Sequence, residues 1–380
     1  MKQIRRRAHA AFSNPRIVLS LLLVGIGVAL FAVGISSSRA ARMRPQQLAA
    51  AKPDAVQMVG PISQDSDLRA LPVIPPTGES EDRRLMRHPL PGGPAIGDPV
   101  IVARRVAQAV TMPGPALVIN GITSAESGCG CLPPDTQGDV GLHHYVETVN
   151  AAFRVYDKSG SALTSTSYDS FFAPLVSSGT PCGNQNRGDG FVFYDHLVDR
   201  WVVSDFAFTG FPGASFYQCI GVSKTSDPVS GGWWLYALQV DPNNPTYLGD
   251  YPKFAVWSDA WYLTMNLFTN DTTFNGVRVY ALDRASMING TGSPTANAVG
   301  FTIAASTLGD TYSLVPAIFR TGSPPPAGLA EYLLAIDSPS SGGVVQNQVH
   351  AWRFHVDFTT PANSTLGLGR THAADGNISV

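Results

Sequence analysis

Four short apolar runs, each closed by a turn, recur along the chain after residue 115, and this repeat limits the folds open to it. Between Gly188 and Val240 the runs are Phe191-Val192-Phe193-Tyr194, Trp201 to Phe208, Phe216 to Ser223 and Trp233 to Val240. Each is rich in Val, Ile, Phe, Tyr and Trp and is bounded by Gly, Pro, Asp or Ser, the pattern of strands joined by tight turns. Gly-Asp punctuates the series at Asp139, Asp189, Asp250 and Asp310, with spacings of 50, 61 and 60 residues. An aromatic residue opens the second strand of each unit: Tyr145, Trp201, Trp261 and Tyr332. A period of about 60 residues carrying four strands predicts an all-β, β-propeller-like array of about four four-stranded blades. A single blade cannot bury its own two faces, so the units must stack. The array reads as a partial propeller, whose open blade edge invites self-association.

Composition divides the chain at the same place. Residues 1–115 carry 15 Lys and Arg against 7 Asp and Glu, and residues 116–380 carry 11 against 21. An acidic β-rich domain has nothing to neutralise phosphates, so no nucleic-acid partner is expected. Residues 1–16 are basic, and 17–35 hold Ser20 as the one polar residue in 19. That length suits a hydrophobic helix serving as a transmembrane signal-anchor or a signal peptide, with the basic end cytoplasmic and the rest exported. Residues 36–115 contain twelve Pro and no Phe, Trp or Tyr. They read as a disordered Pro-rich spacer, because so little apolar area cannot offset chain entropy. The propeller-like domain is then 116–380, tethered to the membrane or secreted into the cell envelope.

The four cysteines suit an oxidising compartment and allow three pairings. Cys182 with Cys219 would tie an entry loop to the third strand of one blade. Cys129 and Cys131 would then pair locally or stay reduced. If each Gly-Asp opens an inner strand, Asp139, Asp189, Asp250 and Asp310 would ring the channel mouth, where Ca2+ is the fitting cation for clustered carboxylates. The plainer reading makes each Asp a turn residue accepting backbone N–H bonds. Turn chemistry also accounts for Asp135, which follows two prolines. Adjacent His143 and His144 point to opposite faces of a strand and cannot chelate together. Of Trp233 and Trp234, one ring belongs in the core, and the other is free to stack on a sugar or peptide.

The run Pro133-Pro134-Asp135-Thr136-Gln137-Gly138-Asp139-Val140-Gly141, followed by His144-Tyr145-Val146, resembles the opening of an uncharacterised family of exported bacterial β-propeller-like proteins. Counterparts of Tyr156-Asp157-Lys158-Ser159-Gly160, Tyr194 to Trp201, Gln218 to Ser223 and Asp250-Tyr251-Pro252-Lys253 extend the resemblance to about residue 357. It implies the fold and export, and no activity.

Enzyme signatures are missing: there is no Gly-x-Ser-x-Gly elbow, no His-Glu-x-x-His, no phosphate loop and no sialidase-type Asp box. The expectation is an exported binding or scaffold module, with a protein or glycan ligand at the channel mouth. The rival is a glycan-directed hydrolase or lyase using mouth aspartates, since two carboxylates suffice for that chemistry.

Overall fold

The computed structural model describes residues 52–72, 114–129, 131, 133–213, 215–270, 273–291, 296–309, 311, 313–337 and 348–379. All lie in the second of two compact units, Ala50–Val380. The apolar stretch 17–35, expected as an anchor or signal, lies outside the described residues. No helix among those described is long and apolar enough to cross a membrane.

The first strands, β1 (Asp54–Val56) and β2 (Val59–Gln64), fall inside the expected spacer. Four antiparallel sheets follow from the repeat. The first holds β3 (Gln137–Val140), β4 (His144–Val149), β5 (Ala152–Asp157) and β6 (Ala162–Ser167). The second holds β7 (Asn186–Asp195), β8 (Arg200–Ala207), β9 (Tyr217–Ser223) and β10 (Trp233–Gln239), and β2 adds a fifth strand against β10. The third holds β11 (Leu248–Val256), β12 (Trp261–Asn270), β13 (Thr273–Leu282) and β14 (Ala298–Ala304), extended by β1 against β14. The fourth holds β15 (Val315–Pro316), β16 (Glu331–Ile336), β17 (Gln348–His355), β18 (Thr365–Leu366) and β19 (Gly376–Ser379). The opening strands lie side by side, β3 against β7, β7 against β11 and β11 against β15, which makes the array propeller-like.

Period-two alternation sends neighbouring residues of one strand into different apolar layers. Val192, Trp201 and Val203 face the first sheet, meeting Val146, Phe153 and Val155. Phe193 and Val202 face the third sheet, meeting Phe254, Trp261 and Leu263. Tyr262, Val277 and Val279 in turn meet Leu333, Trp352 and Phe354 of the fourth. Strands β8 and β9 are therefore buried along nearly their whole length, with Ser204, Asp205, Gln218 and Ser223 as buried polar residues among their apolar ones. Cys182 is bridged to Cys219 and Cys129 to Cys131. The first bridge spans 37 residues of separation and removes roughly 4 kcal/mol of loop entropy from the unfolded chain on the chain-entropy model.

The spacer expectation is corrected over residues 53–72. Met58, 2% exposed, enters the layer between the second and third sheets, and Leu68 enters the layer between the first and second. The Met58 N–H donates to Asn297 Oδ1 at 2.8 Å. Asp54 pairs at 2.6 Å with the guanidinium of Arg278, which is buried in the third sheet. A segment without aromatics can still fold when it docks aliphatic side chains onto a core built by other strands. It also covers the outer edges of the second and third sheets, so those edges are not open. Replacing Met58 with Ala is expected to cost about 2–5 kcal/mol in a denaturant titration, as for other buried Met truncations. A solvated spacer would hold the change within about 0.5 kcal/mol.

Candidate functional site

The inner strands share one irregularity. The register of β7 on β8 slips between Gly188 and Phe191, and that of β11 on β12 slips between Asp250 and Lys253. Each slip is a bulge, which bends a strand and re-aims its side chains. A left-handed non-glycine residue sits at the corresponding place in all four units: Asp135 (φ 46°), Asp189 (φ 51°), Tyr251 (φ 56°) and Ser313 (φ 57°). Such a conformation costs about 1–3 kcal/mol per residue and collects at functional sites.

The structural repeat therefore runs through Asp135, Asp189, Tyr251 and Ser313, and not through the Gly-Asp pairs. Asp250 lies one residue before its unit's bulge position, and Asp139 lies four residues after its own. Asp310 lies outside the described residues. Asp139 accepts the Tyr194 N–H at 2.8 Å and pairs with Arg320. It plays the plainer backbone-accepting role, and among the described residues Asp139 does not stand at a position equivalent to Asp189 or Asp250. Among the described residues no group of three or more His, Cys, Asp and Glu is arranged to hold a metal ion.

Three of the four positions open onto one cavity. It has a volume of about 430 Å3 and is lined by the three consecutive residues that start at each of Asp135, Asp189 and Tyr251. Asn150 clamps its first side, donating to Asp135 at 2.9 Å and accepting the Asp189 N–H at 2.8 Å. Asp189 is 8% exposed. Burial pushes its carboxyl well above the usual range, the Asp250 and Asp135 charges add to this, and it hydrogen-bonds Asp250. Two carboxyl groups in hydrogen-bond contact share a proton, because both cannot ionise at that distance. The Tyr251 N–H opposes the shift only weakly, reaching Asp189 at 3.4 Å and Asp250 at 2.7 Å. Lys253 is pushed down to about 8 by burial, against the pull of Asp189, Asp250 and Asp135. Its Nζ lies 3.2 Å from the centre of the Tyr251 ring, which is 41% exposed. Behind the cavity, burial also raises Asp205, which takes the Gly188 N–H at 3.4 Å.

Sequence reasoning found Asp189 and Asp250 and missed three partners. Asp135 read as a turn residue, which it also is. Lys253 is one of three lysines after residue 115, and that rarity in an acidic domain was the available signal. Tyr251 stood in the Asp250-Tyr251-Pro252-Lys253 run that the resemblance rests on, with no role attached to it. The other singled-out residues take structural places. Trp233 is buried and donates to Pro228 O at 3.0 Å, while the half-buried Trp234 ring carries Lys224 Nζ at 3.7 Å. His143 is exposed, and burial pushes the half-buried His144 imidazole down.

No family model matches the chain, and no curated protein matches it. Solved structures that resemble it include a GH43 β1,3-galactosidase at 12% identity and TM-score 0.30, covering 61% of this chain and 45% of that one. A second GH43 β1,3-galactosidase, in complex with galactodeoxynojirimycin, has 9% identity and TM-score 0.31, covering 60% and 88%. An exo-1,5-α-L-arabinanase from a bovine ruminal metagenomic library has 13% identity and TM-score 0.28, covering 61% and 90%. The chain thus spans less than half of the first of these.

The carboxyl pair leaves a pH signature. A folded-state pKa raised above the ordinary 3.8 of Asp189 means that the folded protein holds a proton the unfolded chain has released. Its contribution is fully present below that value and is lost as pH rises toward the raised one. Asp250→Asn removes the neighbouring charge while keeping a hydrogen-bonding side chain. The fall in melting temperature between pH 5 and pH 8 is then expected to be shallower than in the parent. An unchanged slope would show that the two carboxyls do not share a proton.

Proposed function

We propose that the chain is an exported, propeller-like binding module of four blades that takes a hydroxyl-rich ligand, a glycan, at the mouth of its inner strands. The observation that carries this reading is the triple repetition of a left-handed non-glycine residue around one cavity, at Asp135, Asp189 and Tyr251, two of them at strand bulges. Three inner strands spend conformational energy to turn their residues inward at one place, which is how pre-organised sites are built. The chemistry of the lining suits sugar hydroxyls. Asp135 supplies acceptors, the Asp189–Asp250 pair supplies a protonated carboxyl beside an acceptor, and Lys253 supplies donors. The half-exposed Tyr251 ring offers an apolar surface of the kind a pyranose face packs on. Export is supported by the two disulfides, which persist in oxidising compartments. The basic end and apolar stretch 17–35 support tethering to a membrane or a cleaved signal.

A hydrolase reading has one observation in its favour: a protonated Asp189 and a Lys253 near 8 share a cavity, so groups able to give and take protons at neutral pH stand together. The spacing weighs against glycoside cleavage by this pair. Glycosidase carboxyls stand about 5–5.5 Å or about 6.5–9.5 Å apart, whereas these two are in hydrogen-bond contact. A glycan array probed with the full chain in mild detergent is expected to show retained oligosaccharides without release of reducing ends. Asp135→Asn and Tyr251→Ala should each weaken the retained ligand at least tenfold with the melting temperature held. Turnover of a retained glycan would move the assignment to the hydrolase, and an array without any signal would remove the glycan.

A further inference from the structure

The apolar layer between the first and second sheets encloses a polar group that does not line the mouth cavity. Asn186 pairs with Ala207 across β7 and β8, and Asp205 pairs with Cys219 across β8 and β9. Ala207 and Cys219 belong to that layer. Paired residues, and residues two apart on one strand, put their side chains on the same face. Asn186 and Asp205 therefore point into the layer together, 2% and 0% exposed. Asp169, on the short helix Tyr168–Phe172, reaches the same place and is also buried. Its Oδ1 accepts both the Asn186 N–H and the Asn186 Nδ2 at 3.0 Å, and Nδ2 donates as well to Cys182 O at 2.8 Å. Two acceptors thus fix which arm of the Asn186 amide is nitrogen, so the other arm is a true oxygen. That oxygen has no hydrogen-bond partner among the described residues, and neither has Asp205 Oδ1. The second Asp205 oxygen takes the Gly188 N–H at a long 3.4 Å. None of the ion pairs among the described residues includes Asp205.

We propose that Asp205, Asn186 and Asp169 hold a calcium ion between the first and second sheets. What these residues present is oxygen short of donors: two carboxylates and an amide oxygen, in a layer that is otherwise apolar. A shared water would give hydrogens to the two orphaned oxygens, but it carries no charge and leaves the carboxylates uncompensated. A dication answers both needs. Ca2+ takes carboxylate, amide and backbone carbonyl oxygens alike, in flexible geometry. Two carboxylates balance its charge, and Cys182 O belongs to the same hydrogen-bonded group. Only two of the ligands ionise, and Asn186 supplies the third oxygen. Burial raises the Asp205 carboxyl, with the Asp169 charge adding to it, and a bound cation would reverse that shift. The site is separate from the mouth cavity, so the proposal stands without the glycan reading. It touches the mouth only through the Gly188 N–H, beside Asp189, where an ion would steady the start of β7.

The test is thermal unfolding of the full chain in mild detergent, first in EDTA and then with CaCl2. Calcium is raised to about 10 mM, above the roughly 10−4–10−3 M dissociation constants of extracellular calcium modules. The parent is expected to melt at least about 3 °C higher with calcium, because the ion binds the folded chain alone. Asp205→Asn keeps the shape and removes the charge, so the rise should vanish. In EDTA that variant should melt at or above the parent, since it no longer buries a carboxyl group. Tb3+, which occupies calcium sites, should give emission sensitised by the aromatic rings of the layer, and calcium should displace it from a single site. If Asp205→Asn does not fold, Asn186→Ser carries the comparison and is expected to need at least tenfold more calcium for the same rise. A parent whose melting temperature ignores calcium overturns the proposal and leaves a protonated Asp205 beside an internal water. A rise retained in Asp205→Asn overturns it as well, and its loss in Asp189→Asn would then put the ion at the mouth.

Discussion

The inner strand of each sheet has a backbone edge with no strand beside it, and side chains from the neighbouring sheet supply what that edge lacks. Val192 and Tyr194, two apart on β7, donate their N–H groups to Gln137 at 2.7 Å and Asp139 at 2.8 Å, two apart on β3. The Asp189 N–H goes to Asn150, and the Trp261 indole goes to Asp195 at 2.7 Å. Farther on, the Thr264 side chain donates to Leu314 O at 2.6 Å, and one backbone bond joins it, the Phe319 N–H to Val256 O at 2.9 Å. A buried backbone group left unpaired costs about 1–3 kcal/mol, so polar residues must line the axis of an otherwise apolar stack. That requirement places carboxylates at the centre of the molecule before any function is considered.

Most of those carboxylates are consumed by the scaffold. Asp139 and Asp195 accept N–H groups, and Asp54 reaches in from an added strand to neutralise Arg278. Asp189 and Asp250 differ because their strands bulge where they stand, so Asp189 lines the cavity and the buried Asp250 stands against it. The same local event, an extra residue in an inner strand, breaks the ladder and opens the mouth. Structure and candidate function thus meet at the bulge, and its cost in backbone strain is carried by the three apolar layers around it.

Much of this was legible in the residues. The aromatic residues opening second strands fall where the repeat puts them. Trp201 sits in β8, Trp261 in β12 and Tyr332 in β16. Cys182 and Cys219 are bridged, as their place in one blade suggested, and of the two outcomes left open for Cys129 and Cys131 the local pair is the one formed. The register of the inner strands was not legible from Gly-Asp, because the left-handed position is occupied by Asp, Asp, Tyr and Ser in turn. Backbone strain at Tyr251 and Ser313 has no residue-type signature, unlike a glycine turn. Strands β1 and β2 escaped notice because their apolar residues are few, aliphatic and outside the repeat. They fold by borrowing a surface, which a local window cannot show.

Amide hydrogen exchange at Val192 and Tyr194 tests the side-chain pairing of inner strands most directly. Both amides should be strongly protected in the parent protein. Gln137→Ala should release Val192 alone and Asp139→Ala should release Tyr194 alone, with the rest of β7 still protected. If the two amides exchange as fast as an open strand edge in the parent, or stay protected in both variants, the inner strands are held by something else and the account of the mouth is wrong.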